Sequence, residues 1–212
     1  MRKIYIIGAG GFASELTEYI LDNNEEHIVG YFDKNDHEHK RYGYKAPYLG
    51  NEDFSDLKDK NIVLSIADAT LRTALFLKLK KRGCIFPNII HHNTFIAKSS
   101  RIKCGAIICP FVSLLSNCSI GENFQANVYS YISHDCVIRN NVTFAPSVKC
   151  NGNVIIQDNV YIGTGAIIRQ GSANSPLIIG QGATIGAGAV VLRSVEPNST
   201  MVGAPARALQ IK

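Results

Sequence analysis

From Ile96 onward an aliphatic or compact residue returns at every sixth position: Ile96, Ile102, Ile108, Leu114, Ile120, Ala126, Ile132, Ile138, Phe144, Cys150, Ile156, Ile162 and Ile168. The series resumes at Ile179, Ile185 and Val191 after a step of eleven residues. Helices repeat at 3.6 residues and strands at two, so neither explains this pattern. Four residues after most of these positions stands a small or β-branched residue, as at Ser100, Ala106, Val112, Cys118, Ser130, Cys136, Val142 and Val148. The pattern predicts hexapeptide repeats, each one short strand and one tight turn. Three of them close a triangular coil, and stacked coils bury a continuous column of side chains that no single coil could bury alone. Sixteen hexapeptides make about five coils. Gly121, Gly163, Gly180 and Gly186 just after inward positions, and Asn117, Asn123, Asn141, Asn153 and Asn159 near corners, are expected to supply the unusual backbone angles of tight turns.

Before the repeats the period changes. Lys3 to Ile7 reads as a buried strand, Gly8 to Ala13 as a glycine-rich turn, and Leu16, Tyr19 and Ile20 as the inner face of a helix. A second apolar run, Ile28 to Phe32, ends at Asp33. After a polar loop to about residue 60 come a strand over Ile62 to Ile66 and a helix from about Ala69 to Arg82, with Leu71, Leu75 and Leu79 on one face. This predicts a half-sized α/β nucleotide-binding domain over residues 1–88, followed by a parallel β-helix over 89–212.

The 212 residues, 46% of them hydrophobic, suffice for two small cores. No apolar run approaches the roughly 20 residues of a membrane span, and the first fifteen residues do not read as a leader, so a soluble cytoplasmic protein is expected, without a membrane partner. Six cysteines without CxxC pairing read as reduced packing residues. The net charge of +5 carries no Lys/Arg block longer than Lys80-Lys81-Arg82, which argues against nucleic acid and suits small polyanions such as nucleotide sugars and coenzyme A.

Gly8, Gly10 and Gly11 form a turn where a polyphosphate could reach backbone N–H groups at a helix N-terminus. Asp33 and Lys34 stand at the end of the second strand, where such folds place ribose or base contacts. About 85 residues hold only half of a dinucleotide fold, so a mononucleotide diphosphate fits better than NAD. The competing reading is that the glycines only permit a tight turn.

The combination of Gly8-Ala-Gly-Gly-Phe-Ala13, Ser65-Ile-Ala-Asp68 with Arg72, Ser133-His-Asp-Cys136, Lys149-Cys-Asn-Gly-Asn153 and Val202-Gly-Ala-Pro-Ala-Arg207 resembles the sugar O-acyltransferase family that includes sialic acid O-acetyltransferases and nucleotide-sugar N-acetyltransferases. The likeness is nearest to N-acetyltransferases of nucleotide-linked 4-amino-4,6-dideoxy sugars. The chain departs from many relatives at Phe12, Ser14 and Ala67. The resemblance implies a left-handed helix, acetyl-CoA as co-substrate, no metal, and a homotrimer with acyl-CoA between neighbouring helices. It also implies a UDP- or dTDP-linked amino sugar as acceptor, in the assembly of surface glycans such as the O-antigen of lipopolysaccharide.

Carried onto this sequence, the resemblance assigns His134 as general base, Asp135 as its orienting partner and the Gly152 N–H as donor to the thioester carbonyl. Ser65, Asp68, Arg72 and Asn127 would contact the sugar nucleotide; Thr164, Gly186 and Ala187 would line the pantetheine channel; Arg207, with Lys212, would meet a coenzyme phosphate. His134 is the only histidine within the repeats, too few for a metal site. Asp135, next to it in sequence, can reach it only if the turn bends back. Residues 171–176 interrupt the repeats, either flanking a ligand groove or as a tolerated loop. Two other functions fit the residues: O-acetylation of sialic acid or a related sugar, and a non-catalytic module that binds a nucleotide sugar without consuming acetyl-CoA.

Overall fold

The computed structural model of the protein describes residues 1–209. The chain divides into two compact units, Met1–His91 and His92–Lys212.

In the first unit, β1 (Arg2–Ile7) lies between β2 (Glu26–Phe32) and β3 (Ile62–Leu64) in a parallel sheet. α1 (Gly11–Asn23) turns Ala13, Leu16 and Ile20 inward. α2 is a short exposed helix, His37–Tyr42, and α3 spans Ala69–Lys81. α2 falls inside the expected polar loop. It carries no buried residue and so no apolar period; an Asp36–Lys40 ion pair and a left-handed Gly43 at its C-cap accompany it instead. The face of α3 also differs from expectation: Leu71 is exposed, and Arg72, Phe76 and Leu79 are buried. The three leucines lie four residues apart, but so do Arg72 and Phe76, and the ring of Phe76 meets Phe86 at 4.5 Å in the core.

The second unit is a β-helix of two- and three-residue strands in three parallel sheets. The first face stacks Ile107–Ile108, Gln125–Ala126, Thr143–Phe144, Tyr161–Ile162 and Thr184–Ile185. The second stacks Phe95–Ile96, Ser113–Leu114, Tyr131–Ile132, Lys149–Cys150, Ile167–Ile168 and Val190–Val191. The third stacks Arg101–Ile102, Ser119–Ile120, Val137–Ile138, Val154–Ile156 and Leu177–Ile179. Pairing runs from residue i to i+18, as Ile132 with Cys150 and Ile138 with Ile156, so one coil is eighteen residues. From Ile108 to Val191 no inward residue of the series exposes more than 2% of its surface. Burying such a side chain contributes about 1.5–3 kcal/mol. Ile96 and Ile102 remain half-buried, because within this unit the first coil has a neighbouring coil on one side only.

The corner asparagines behave as expected: Asn117, Asn123, Asn141, Asn153 and Asn159 all sit at φ between 56° and 60°. Their amides form ladders, with Asn123 Nδ2 donating to Asn141 Oδ1 at 2.9 Å and Asn141 Nδ2 to Asn159 Oδ1 at 3.1 Å. The post-strand glycines have another cause. Gly121, Gly163 and Gly180 are absent from the positive-φ set; a Cβ there would come within 2.4–2.7 Å of backbone atoms one coil further on. Close coil stacking, not backbone angle, demands them. The eleven-residue step is a small hairpin, Ser172 bonding both ways to Ser175, after which Leu177 rejoins the sheet beside Val154. At the C-terminal end, Thr200–Val202 folds back antiparallel on Arg207–Ala208.

Candidate active site

His134 stands two residues beyond the inward Ile132, at the corner between the second and third faces. The ladder holds this corner through Ser133 N to Cys150 O (2.8 Å) and Asn153 N to His134 O (3.0 Å). The next residue, Asp135, takes the left-handed conformation (φ 58°) that asparagines take at the other corners. That φ bends its carboxylate back to His134, Nδ1 to Oδ2 at 2.8 Å, while Asn117 Nδ2 donates to Oδ1 at 3.3 Å. The bonds from His134 first, then Asn117, hold the Asp135 carboxyl below the usual carboxylate range. An ionised carboxylate only accepts, so Nδ1 carries the proton and Nε2 keeps its lone pair. Nε2 faces Gly152, one coil on: a Cβ built at Gly152 would lie 2.5 Å from both His134 Cε1 and Nε2.

The register carries this edge onward. Ile132, Cys150, Ile168 and Val191 pair in sequence, so His134, Gly152, Gln170 and Arg193 stack on successive coils. At about 4.8 Å per coil, Arg193 lies roughly 14 Å from His134. A cleft of about 310 Å³ opens there between the Ser172–Ser175 hairpin and the side chains of Arg169 and Arg193. A second, of about 380 Å³, runs from Arg193 to Arg207. Arg169 and Arg193 carry no motif; the coil register, shifted by the insertion, puts Arg193 in line with His134 and Arg169 beside Gln170. Lys212 lies outside the described residues.

Thr164, Gly186, Ala187 and Asn127 do not join His134 on one chain. They follow strands of the first face and so lie toward the corner between the first and second faces. A Cβ at Gly186 would come within 2.9 Å of Val202, so packing within the chain already demands a glycine there. Asn127 donates its amide to the Phe144 carbonyl at 3.1 Å, as a corner asparagine would.

In the first unit Gly8 has φ 99°, and a Cβ there would sit 2.6 Å from the Ser65 carbonyl, so the exits of β1 and β3 touch. Gly10 caps α1 with no side-chain hydrogen bond, and no acidic residue occupies the first turn of a helix opened by Gly11; such an end suits an anion. The Ser65 hydroxyl, close by, is buried and makes no hydrogen bond among the described residues. Asp33 Oδ2 accepts from Ala9 N at 2.8 Å and Oδ1 from Lys34 N at 2.7 Å, so its carboxylate shapes the glycine turn. Asp68 caps α3 at Leu71 N (2.7 Å), and the buried Arg72 reaches back to donate to the Ile66 carbonyl, in the segment before that helix, at 3.1 Å. Tyr44, which no sequence pattern marks, donates to the carbonyls of Ala9 and Gly10.

A half-sized nucleotide-binding sheet, then a hexapeptide helix with a corner His–Asp pair set against a glycine, defines a hexapeptide sugar acyltransferase. Residues 3–79 match the PglD N-terminal domain family. The chain is 46% identical over 166 residues to the GDP-perosamine N-acetyltransferase of Escherichia coli O157:H7, covering 78% of this chain and 71% of that protein. WeeI from Acinetobacter baumannii AYE superposes with a TM-score of 0.85 at 40% identity over 99% of this chain and all of that one. The acetyltransferase domain of PglB from Neisseria gonorrhoeae FA1090, in complex with acetyl coenzyme A, shares the fold at a TM-score of 0.85 and 23% identity, over 98% and 99% of the two chains. The chain belongs to the nucleotide-sugar N-acetyltransferases of the left-handed β-helix class.

Proposed function

We propose that this protein transfers the acetyl group of acetyl-CoA to the 4-amino group of a nucleotide-linked 4-amino-4,6-dideoxy sugar for surface glycan assembly. The observation that carries this reading is the His134–Asp135 pair with its free Nε2 against Gly152. The neutral amine nitrogen attacks the thioester carbonyl, Nε2 takes the proton that the nitrogen sheds, and the Gly152 N–H donates to the oxyanion that forms. Loss of the thiolate of coenzyme A then leaves the amide. The curated relative acts on GDP-perosamine, which adds a GDP-linked sugar to the UDP- and dTDP-linked acceptors expected from sequence. Incubation with acetyl-CoA and GDP-, UDP- and dTDP-linked 4-amino sugars, with free sialic acid alongside, tests this by mass spectrometry. An acetyl-sized gain on an amino sugar, abolished when the amine is blocked, is expected; gain on sialic acid alone, or none, overturns it.

Acetyl-CoA running down the His134 edge would bring its phosphates to Arg169 and Arg193, since an extended pantetheine arm spans a comparable three coils, with Arg207 further along the same end. The channel residues Thr164 and Ala187 lie toward another corner, so a site that uses both edges draws them from two copies. This supports a homotrimer with three interfacial sites, measurable as a threefold mass by light scattering; a monomer at micromolar concentration would sink it. Six free cysteines and cytoplasmic co-substrates support a cytoplasmic enzyme. Among the described residues no helix is long and apolar enough to cross a membrane.

Asp135 positions the base. Its carboxyl sits below the ordinary value, so its contribution is fully present above about pH 3.9 and is lost only as pH falls further, through the folded value. Asp135→Asn is therefore expected to lower kcat about tenfold, below the roughly 10²-fold floor for losing the base itself. The deficit holds throughout the neutral and alkaline range and leaves the KM for acetyl-CoA unchanged. A wild-type kcat at pH 8 would remove Asp135 from the mechanism.

A further inference from the structure

We propose that Tyr44 is a positioning residue of the nucleotide site: it holds the glycine turn in the shape that presents the first N–H groups of α1 to a diphosphate. This rests on the reading of that turn as the nucleotide-sugar site. The Tyr44 hydroxyl lies 2.9 Å from the Ala9 carbonyl and 3.2 Å from the Gly10 carbonyl, and shares its proton between them. Asp33 Oδ2 holds the Ala9 N–H from the other side at 2.8 Å. The turn is therefore clamped through both its donor and its acceptors.

A trans peptide directs its N–H opposite to its C=O. The Gly10 carbonyl also takes the first helical bond, from Ser14 N at 3.1 Å, so the peptide that depends on Tyr44 is Ala9–Gly10: anchoring the Ala9 carbonyl on the Tyr44 side sends the Gly10 N–H the other way, where it can meet an anion. Glycine peptides flip readily because nothing at Cβ opposes it. A flip at this peptide would turn a carbonyl oxygen toward the phosphate and forfeit a donor. Tyr44 is itself held: its ring stacks on Tyr31 at 4.2 Å with planes 21° apart, and Tyr31 Oη bonds to Thr17 Oγ1 at 2.7 Å. Thr17 in turn donates to the Ala13 carbonyl of α1, which closes a loop from the glycine turn through the helix it opens. Burial, then the neighbouring phenols of Tyr31 and Tyr42, push the Tyr44 hydroxyl above its ordinary value, so it stays a protonated donor. Sequence offers no signal for this, since Tyr44 stands 34 residues from Gly10 beyond a polar stretch.

Tyr44→Phe keeps the ring and its stack and removes only the donor. Calorimetric titration with GDP, UDP and dTDP identifies the diphosphate that the wild type binds; the variant is expected to bind it about tenfold more weakly, a loss of roughly 1.4 kcal/mol. Binding of the matching nucleoside, which lacks phosphates, stays unchanged. In turnover, the KM for the sugar nucleotide rises by the same factor, while kcat at saturation and the KM for acetyl-CoA hold. Equal diphosphate affinity in variant and wild type overturns the role of Tyr44 alone. Equal weakening of nucleoside and diphosphate overturns it in favour of a purely structural part. A wild type that binds none of the three diphosphates overturns the reading of the turn as a nucleotide site, and this proposal with it.

Discussion

Replacing His134 with alanine lowers kcat by roughly 10²- to 10⁴-fold, the share a positioned general base supplies, which is about 3 to 5 kcal/mol of barrier at 1.36 kcal/mol per decade. The prediction rests on geometry. His134 Nδ1 is committed to Asp135 at 2.8 Å, so Nε2 is the proton acceptor. Among the described residues, the side chains bonded into this pair are the carboxylate of Asp135 itself, held below the usual range and so a poor base, and the amide of Asn117. The variant should fold normally, because the imidazole is 42% exposed and outside the aliphatic column. Its KM for acetyl-CoA should hold, since the coenzyme's phosphates would bind three coils away. A hydroxyl must lose its proton during attack, whereas an amine needs only to be neutral. The deficit should therefore shrink as pH rises for an amino-sugar acceptor and persist for a hydroxyl. A kcat near wild type at neutral pH would remove His134 from the chemistry.

Gly152→Ala is expected to cost nearly as much from the next coil. Gly152 is absent from the positive-φ set, so alanine meets no backbone strain. Its Cβ, however, would lie 2.5 Å from the imidazole edge, a separation that atoms do not tolerate. The least costly escape is for the exposed ring to swing outward, because the alternative is to spread two coils tied by the bonds from Ser133 N to Cys150 O at 2.8 Å and from Asn153 N to His134 O at 3.0 Å. Swinging breaks the Asp135 contact and moves Nε2 by an ångström or more, a displacement that can cost about 10²-fold in rate. Melting temperature should hold while kcat falls. Both effects pass through one ring, so the double variant His134→Ala/Gly152→Ala should be little worse than His134→Ala alone. Additive losses would mean that the added methyl disturbs more than the base, such as the approach of the acetyl group to the Gly152 N–H.

Much of this site was legible before any coordinates. The eighteen-residue coil follows from the six-residue period, and eighteen residues separate His134 from Gly152, so their juxtaposition could be read by counting. The same count holds as far as Gln170 and fails beyond it, because the Ser172–Ser175 hairpin shifts the register by five residues. Arg193 thus joins the edge at 23, not 18, residues past Gln170, and counting alone could not anticipate that. Spacing also misled in part at α3: Leu79 is buried and Leu75 packs against the core as expected, but Leu71 is exposed and Arg72 and Phe76 turn inward.

By itself the sequence determined the repeat, the inward column, the asparagine corners and the two-part organisation. These arise from short-range periodicity, and a period forces the same local solution in every coil. Only the tertiary structure decided how Asp135 reaches His134, since a left-handed φ at a single residue reverses the direction a strand would impose. It also decided that Asp68 caps α3, that Arg72 reaches back to the Ile66 carbonyl, and that Tyr44 clamps a turn 34 residues away. Such contacts depend on which donor lies nearest to which carbonyl once the chain has closed on itself, and no spacing along the chain encodes that.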